Sequence, residues 1–270
     1  MGQPLRIHGP APYRIVVLHG GPGALGEMQP VAATIARKYG VLEPLLSVCS
    51  IEGQLYELHE HVLACGSPPL VICGHSWGAW LGFLYAARYP TYVHRLVLIS
   101  SGPFEDRYAP AVAQTRLKRL SKDDIRRLTQ LQDALDHADD LERNTIFRNI
   151  GQLLFPADSH SPYPYDDFSM EYRYDVFAAI WAEAELWRKT GRLLREGKNI
   201  RCPVIAIHGD VDPHPAAGVQ QPLSKILQDF RFILLQKCGH YPWLERQAQQ
   251  AFYTTLEDAL KDPESMKKRT

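Results

Sequence analysis

Five short runs of mostly branched apolar residues recur along the chain without polar alternation: Arg14 to Leu18, Leu70 to Cys73, Leu96 to Ile99, Val204 to Ile207 and Phe232 to Leu235. Strands that are apolar in both directions are covered on both faces, as parallel strands under helices are. Between them the period becomes helical, over Met28 to Tyr39, Ile51 to Cys65, Trp77 to Arg88 and Arg246 to Lys261, with Leu55, Leu58 and Val62 on one stripe of the second. Ser50 is placed to cap the helix that begins at Ile51, and Pro90 stops the one that precedes it. Strand alternating with helix predicts an α/β fold with a mostly parallel, doubly wound sheet.

The alternation breaks after Ile99. From about Phe104 to Gly191 no strand signal remains, and helical patterns run over Ala109 to Leu120, Lys122 to His137 and Glu171 to Leu194. Ser121, with Asp124 three residues on, opens the second like a capping box. Phe155 to Phe168, carrying Pro156, Pro162 and Pro164, reads as a stiff loop that divides the segment. The division expected is an α/β core of residues 1–103 and 192–270 with an all-helical cap inserted at 104–191. The last ten residues, from Lys261, read as a charged, fraying tail.

Charge and composition narrow the partners. Thirty Lys and Arg balance thirty Asp and Glu, so no basic surplus points to nucleic acid or to an anionic membrane. No apolar run approaches the roughly 20 residues a membrane span needs. Five cysteines without a Cys-x-x-Cys fit a reducing, cytoplasmic setting and buried packing roles better than a disulfide framework. The expected partner is a small molecule.

Three strings stand at the ends of predicted strands: His19-Gly20-Gly21-Pro22-Gly23, Gly74-His75-Ser76-Trp77-Gly78, and Gly209-Asp210-Val211-Asp212-Pro213 followed by His240. The second is a Gly-x-Ser-x-Gly motif between an apolar strand and a helix, the context in which a sharp turn pushes a serine hydroxyl out of the sheet. A serine hydroxyl needs a base within hydrogen-bond reach and a third group to fix that base's tautomer. His240, just past the last strand, is the candidate base, and either Asp210 or Asp212 can reach it. The oxyanion of an acyl-transfer intermediate needs donors as well, and the N–H groups of Gly21 and Trp77 are the candidates.

These strings, in this order, resemble the α/β-hydrolase superfamily over nearly the whole chain, and the first is similar to the His-Gly-Gly-Pro-Gly signature of its proline iminopeptidase branch. The resemblance implies a nucleophile, acid and histidine in the order Ser76, Asp212 and His240, because the family's acid closes a Gly-x-x-Asp string. It also implies a cap that governs substrate entry, and an opening antiparallel hairpin for which this chain has only about a dozen residues, hence a short sheet edge. The elbow departs from the iminopeptidase pattern by carrying His75 where Gly is common.

Other chemistries fit less well. His208, Asp210, Asp212, His214 and His240 can be drawn as a zinc cluster, yet Pro213 and Pro215 stiffen the chain around His214 and no His-x-x-x-His pair supports it. The glycines near residue 20 lack the Lys-Ser/Thr of a P-loop, so neither metal nor cofactor is expected. His59 and His61 stand two apart on a helix and are expected to face solvent. The reading is a serine hydrolase acting on a small ester, amide or short peptide. A proline iminopeptidase-like aminopeptidase, an acyltransferase and a ligand-binding protein on the same fold are the alternatives. For an aminopeptidase, Glu183 would hold the substrate amine between Trp181 and Trp187, with Glu183 and Trp187 sharing a helical face.

Overall fold

The computed structural model describes residues 4–164, 167 and 169–261. The chain opens with strands β1 (Leu5–His8), β2 (Tyr13–Leu18) and the two-residue β3 (Ala24–Leu25), then helix α1 (Gln29–Ile35) and β4 (Gly40–Pro44). It continues through α2 (Ile51–Cys65), β5 (Leu70–His75), α3 (Trp77–Arg88) and β6 (Val93–Ile99). After β6 come α4 (Ala109–Arg119), α5 (Lys122–Leu135), α6 (Asp140–Asp158), β7 (Glu171–Tyr172) and α7 (Tyr174–Lys189). The return to the sheet is by α8 (Arg192–Glu196), β8 (Val204–Gly209), α9 (Ala217–Ile226), β9 (Phe230–Leu235) and α10 (Gln249–Leu260).

A seven-stranded sheet in the order β1-β4-β2-β5-β6-β8-β9 carries the fold, parallel throughout except where β1 runs against β4. Alternate residues of each central strand enter opposite layers. Val16, Leu18, Ile72, Leu96 and Leu98 pack with α2, α3 and α7. Val17, Cys73, Val97, Ile99 and Ile207 pack with α1 and α10. Two apolar layers on one sheet are what near-continuous apolar strands require, and the doubly wound α/β expectation holds.

Several local expectations are corrected. Strands β1 and β4 were not legible as apolar runs. Glu43 interrupts β4 fully buried, with His8 Nε2 on β1 at 2.7 Å from its carboxylate. The segment after β6 is not all helical, since β7 pairs antiparallel with β3. Residues Phe155 to Asp158 belong to α6 with Pro156 inside it, so the loop expected from Phe155 begins at Ser159; Tyr165, Asp166 and Phe168 of that loop, and the tail beyond Lys261, lie outside the described residues. His59 does not face solvent freely: it stacks on Tyr89 at 3.9 Å and hydrogen-bonds with the Tyr85 hydroxyl at 3.0 Å. Of the five cysteines, Cys73 and Cys238 are buried, while Cys65 and Cys202 are half-buried and Cys49 is exposed. Ser50 and Ser121 do cap their helices, accepting from Gly53 N and Asp124 N at 3.1 Å each.

Candidate active site

The elbow is strained where the motif requires it. Ser76 has φ 50° and ψ −109°, a left-handed region costly to a residue with a Cβ, and its N–H donates to Ile99 O at 3.0 Å. The flanking glycines allow the close passage: a Cβ on Gly74 would lie 2.1 Å from Gly78 O, and one on Gly78 would lie 2.5 Å from Leu18 O. That second contact also brings the end of β2, and the loop after it, against the start of α3. Ser76 is half-buried between fully packed neighbours.

Beyond β8, Asp212 turns into the site and Asp210 does not. Asp212 Oδ2 lies 2.8 Å from His240 Nδ1, and Oδ1 accepts from the backbone N of His214 and meets its Nδ1, both at 2.8 Å. Asp210 instead accepts from Cys238 N at 3.0 Å and holds the histidine loop. Burial opposes ionisation of Asp212, but the imidazoles of His240, His214 and His208 outweigh it and hold the carboxyl well below its ordinary value. Burial also pushes the His240 imidazole below its ordinary value, against the pull of Asp212. His214 stacks on His240 with ring centroids 4.3 Å apart. Asp212, His214 and His240 offer ligand atoms within 4.8 Å of one another, so this part of the zinc-cluster reading is a real juxtaposition, with both Nδ1 atoms turned to the carboxylate as hydrogen-bond partners. Among the described residues no hydrogen bond joins Ser76 Oγ to His240, a contact that commonly tightens only with substrate present.

Both candidate oxyanion donors are unengaged among the described residues. The N–H of Trp77 is the first of α3 and has no intrahelical acceptor, and neither it nor the Gly21 N–H donates to a protein group among the described residues. The loop that carries Gly21 is held from beneath. Glu27 Oε2 accepts from Gly20 N at 2.6 Å and pairs with His75 Nδ1 at 2.8 Å, while His75 Nε2 hydrogen-bonds with His240 O at 2.9 Å.

Glu245, fully buried, gathers the histidine loop and the start of the expected loop, accepting from Gly239 N at 2.9 Å and from His160 N and Ser161 N at 2.7 Å. Sequence reasoning missed Glu27 and Glu245, and it weighed His214 only as a metal ligand, not as a hydrogen-bond partner of Asp212. For His75 a signal was present: a histidine closing an otherwise apolar strand.

The cap residues divide. Trp181 stacks on Trp80 with centroids 6.2 Å apart and 3° between planes, and Trp80 in turn meets Trp77 at 6.5 Å; Phe177 extends the stack. Trp187 is buried in the apolar layer, its ring under the Arg192 guanidinium at 3.4 Å. Glu183 accepts from Ile51 N at 2.8 Å, serving the N-terminus of α2. Glu183 and Trp187 therefore have partners of their own, and Trp181 is the one of the three linked by the described ring contacts to the helix after the elbow.

This chain belongs to the α/β hydrolase family, whose profile matches residues 15–252, and it is a hydrolase of that family. Over 240 residues it is 26% identical to monoacylglycerol lipase abhd6-B of Xenopus laevis, a match covering 85% of this chain and 67% of that protein. The crystal structure of VinJ superposes at TM-score 0.65 with 21% identity, over 95% of either chain. Proline iminopeptidase from Mycobacterium smegmatis does so at 0.61 with 20% identity, over 94% of either chain. Similarity at such identities speaks for the fold. No helix among the described residues is long and apolar enough to cross a membrane.

Proposed function

We propose that the protein is a serine hydrolase that cleaves a small ester or amide through an acyl-enzyme on Ser76. The observation that carries the reading is a strained serine elbow beside a buried histidine whose Nδ1 is held at 2.8 Å by an ionised carboxylate. In this reading Ser76 Oγ attacks the substrate carbonyl carbon while His240 Nε2 takes its proton, and the N–H groups of Gly21 and Trp77 receive the developing oxyanion. Collapse of the intermediate expels the alcohol or amine, which takes that proton from His240. Water then attacks the acyl carbon with the same base, releasing the acid and restoring Ser76. Asp212 keeps the histidine in the tautomer that leaves Nε2 free.

Within the class, an ester or simple amide is favoured over a peptide with a free amine. The segment between β6 and β8 presents an aromatic stack, whereas its carboxylates at Asp106, Asp158, Asp167, Asp175 and Glu185 are ion-paired to arginine or lysine. Glu183, the expected amine holder, is engaged at the helix terminus. The name of the Xenopus relative points the same way, since a monoacylglycerol lipase cleaves an ester. Residues 104–191 then act as the cap and residues 1–103 and 192–270 as the catalytic core. A neutral net charge and five free cysteines accord with a small-molecule substrate met in the cytoplasm.

The test is covalent labelling with a fluorophosphonate, followed by p-nitrophenyl esters set against prolyl anilides in the presence and absence of EDTA. Wild type should label and turn over esters regardless of chelator. Ser76→Ala should abolish labelling and cut turnover by about 10⁶. Labelling that survives the substitution, or activity lost to EDTA and restored by zinc, overturns the mechanism.

A further inference from the structure

The Glu27–His75 pair takes no part in proton transfer as described above, yet it is buried, with Glu27 7% exposed and His75 fully enclosed. A charged pair in such a place is costly unless every polar atom is satisfied and the geometry is good. Here the imidazole stands between two acceptors. His240 O, a carbonyl, only accepts, so the proton at 2.9 Å sits on His75 Nε2. On the other side Glu27 Oε2 already accepts from Gly20 N at 2.6 Å and lies 2.8 Å from His75 Nδ1. Two acceptors on two ring nitrogens fit an imidazolium facing a carboxylate. Burial by itself would discharge both groups; each favours the charged form of the other, with His75 raised above and Glu27 lowered below its ordinary value.

The three hydrogen bonds end on three separate pieces of the proposed machinery: the peptide before Gly21, the residue bonded to Ser76, and the main chain of His240. We infer that Glu27 and His75 are positioning residues, one buried ion pair that locks the oxyanion loop and the histidine loop onto the nucleophile elbow. The inference rests on the Ser76 reading. It explains why a histidine closes β5 in this chain, where an apolar residue would leave the Glu27 carboxylate and His240 O without the imidazole that joins them. A Cβ on Gly20 would lie 2.5 Å from both Glu27 Oε2 and His75 Nδ1, so the loop rests directly on the pair.

The experiment is kinetic, on Glu27→Gln, His75→Gln, His75→Asn and the Glu27→Gln/His75→Gln double variant. Glu27→Gln keeps an acceptor for Gly20 N and removes the charge; His75→Gln keeps a donor in place of Nε2, and His75→Asn one in place of Nδ1. Each single change should lower kcat for p-nitrophenyl acetate, and the fluorophosphonate inactivation rate, by about 10², the scale of a small misplacement of reacting groups. KM should stay within about threefold, and the double variant should be no worse than the poorer single, as residues acting as one unit are. An unchanged kcat in folded Glu27→Gln, or losses that multiply, overturns the inference. Should the histidine variants fail to fold, ¹⁵N spectra of wild type near pH 7.5, about one unit above the ordinary histidine pKa, decide it. Both nitrogens of His75 should be protonated, and a neutral single tautomer would refute the pair. Wild type that resists labelling sinks the Ser76 reading and the positioning role together; normal labelling with an unaltered Glu27→Gln rate sinks the positioning role alone.

Discussion

Asp210 and Asp212 differ by two positions and face different chemistry. Asp212 meets two imidazole Nδ1 atoms at 2.8 Å, while Asp210 braces Cys238 N at 3.0 Å. Asp212→Asn should therefore lower turnover by up to about 10⁴ with the fold intact, because the histidine loses the group that fixes its tautomer. Asp210→Asn should cost less than about tenfold, and a reversal of the two in steady-state kinetics would reassign the acid. The proton balance of His240 yields a second expectation. Burial, followed by the neighbouring charges of His214 and His75, drives its imidazole below the ordinary value of about 6.5 against the attraction of Asp212. In the proposed mechanism the neutral ring is the base, present above its pKa. Acylation should thus hold through pH 6.5 and fall only as pH drops through a lower value; a limb at or above 6.5 in a kcat/KM profile would contradict the site's electrostatics. The placement of Ser76 at a strained turn and of His240 against Asp212 was legible in sequence because motif and strand end coincide there. His214 was not, since two flanking prolines argue only about backbone stiffness and say nothing of which carboxylate the ring meets.

At the scale of elements, helix ends are served from a distance. The N-terminus of α2 has its own cap in Ser50, which accepts from Gly53 N, and borrows Glu183 from α7 to accept from Ile51 N. The histidine loop is organised in the same way by Glu245, whose carboxylate collects three backbone N–H groups in a fully buried position. Removing it takes the acceptor from all three, at about 1–3 kcal/mol for the buried Gly239 N and less for the part-buried His160 N and Ser161 N, which lie nearer water. Glu245→Ala should destabilise the protein by about 3 kcal/mol or more in denaturant unfolding, and Glu245→Gln, which retains acceptors but fewer, should fall between. A change within about 0.5 kcal/mol would show the network to be dispensable. The helices α2 and α3 matched their expected bounds because cap, stripe and stop signal agree in the sequence. Strand β4 escaped because Glu43 breaks its apolar run, its burial made tolerable by His8 across the β1 ladder. That partner belongs to tertiary structure, which local pattern does not encode. Helix α6 was not singled out, and Pro156 inside it reads as a stop when considered alone.

Over the whole molecule, the segment between β6 and β8 touches each loop of the proposed machinery. Asp158 O accepts from His240 N at 2.8 Å and Gly23 O from Arg173 N at 2.8 Å, while Arg119 donates to Val211 O at 2.8 Å, next to the acid. That helices take over after β6 was legible, since strand periodicity stops after Ile99. The segment's attachments were not, because they are backbone contacts between residues far apart in sequence. Those attachments tie the segment to the loops of the proposed machinery, and in the proposed cap role its charge pattern bears on the substrate. If Glu183 held a substrate amine, Glu183→Gln would depress kcat/KM on a prolyl anilide and spare a neutral acetate ester, since an unpaired buried charge costs several kcal/mol. With its carboxylate committed to Ile51 N, the glutamine retains an oxygen for that donor. We expect equal, small changes on both substrates, within about threefold, accompanied by a loss of stability no larger than about 1 kcal/mol, as for a weakened helix cap. A selective collapse on the prolyl anilide would restore the aminopeptidase reading and require Glu183 to leave α2 when substrate binds.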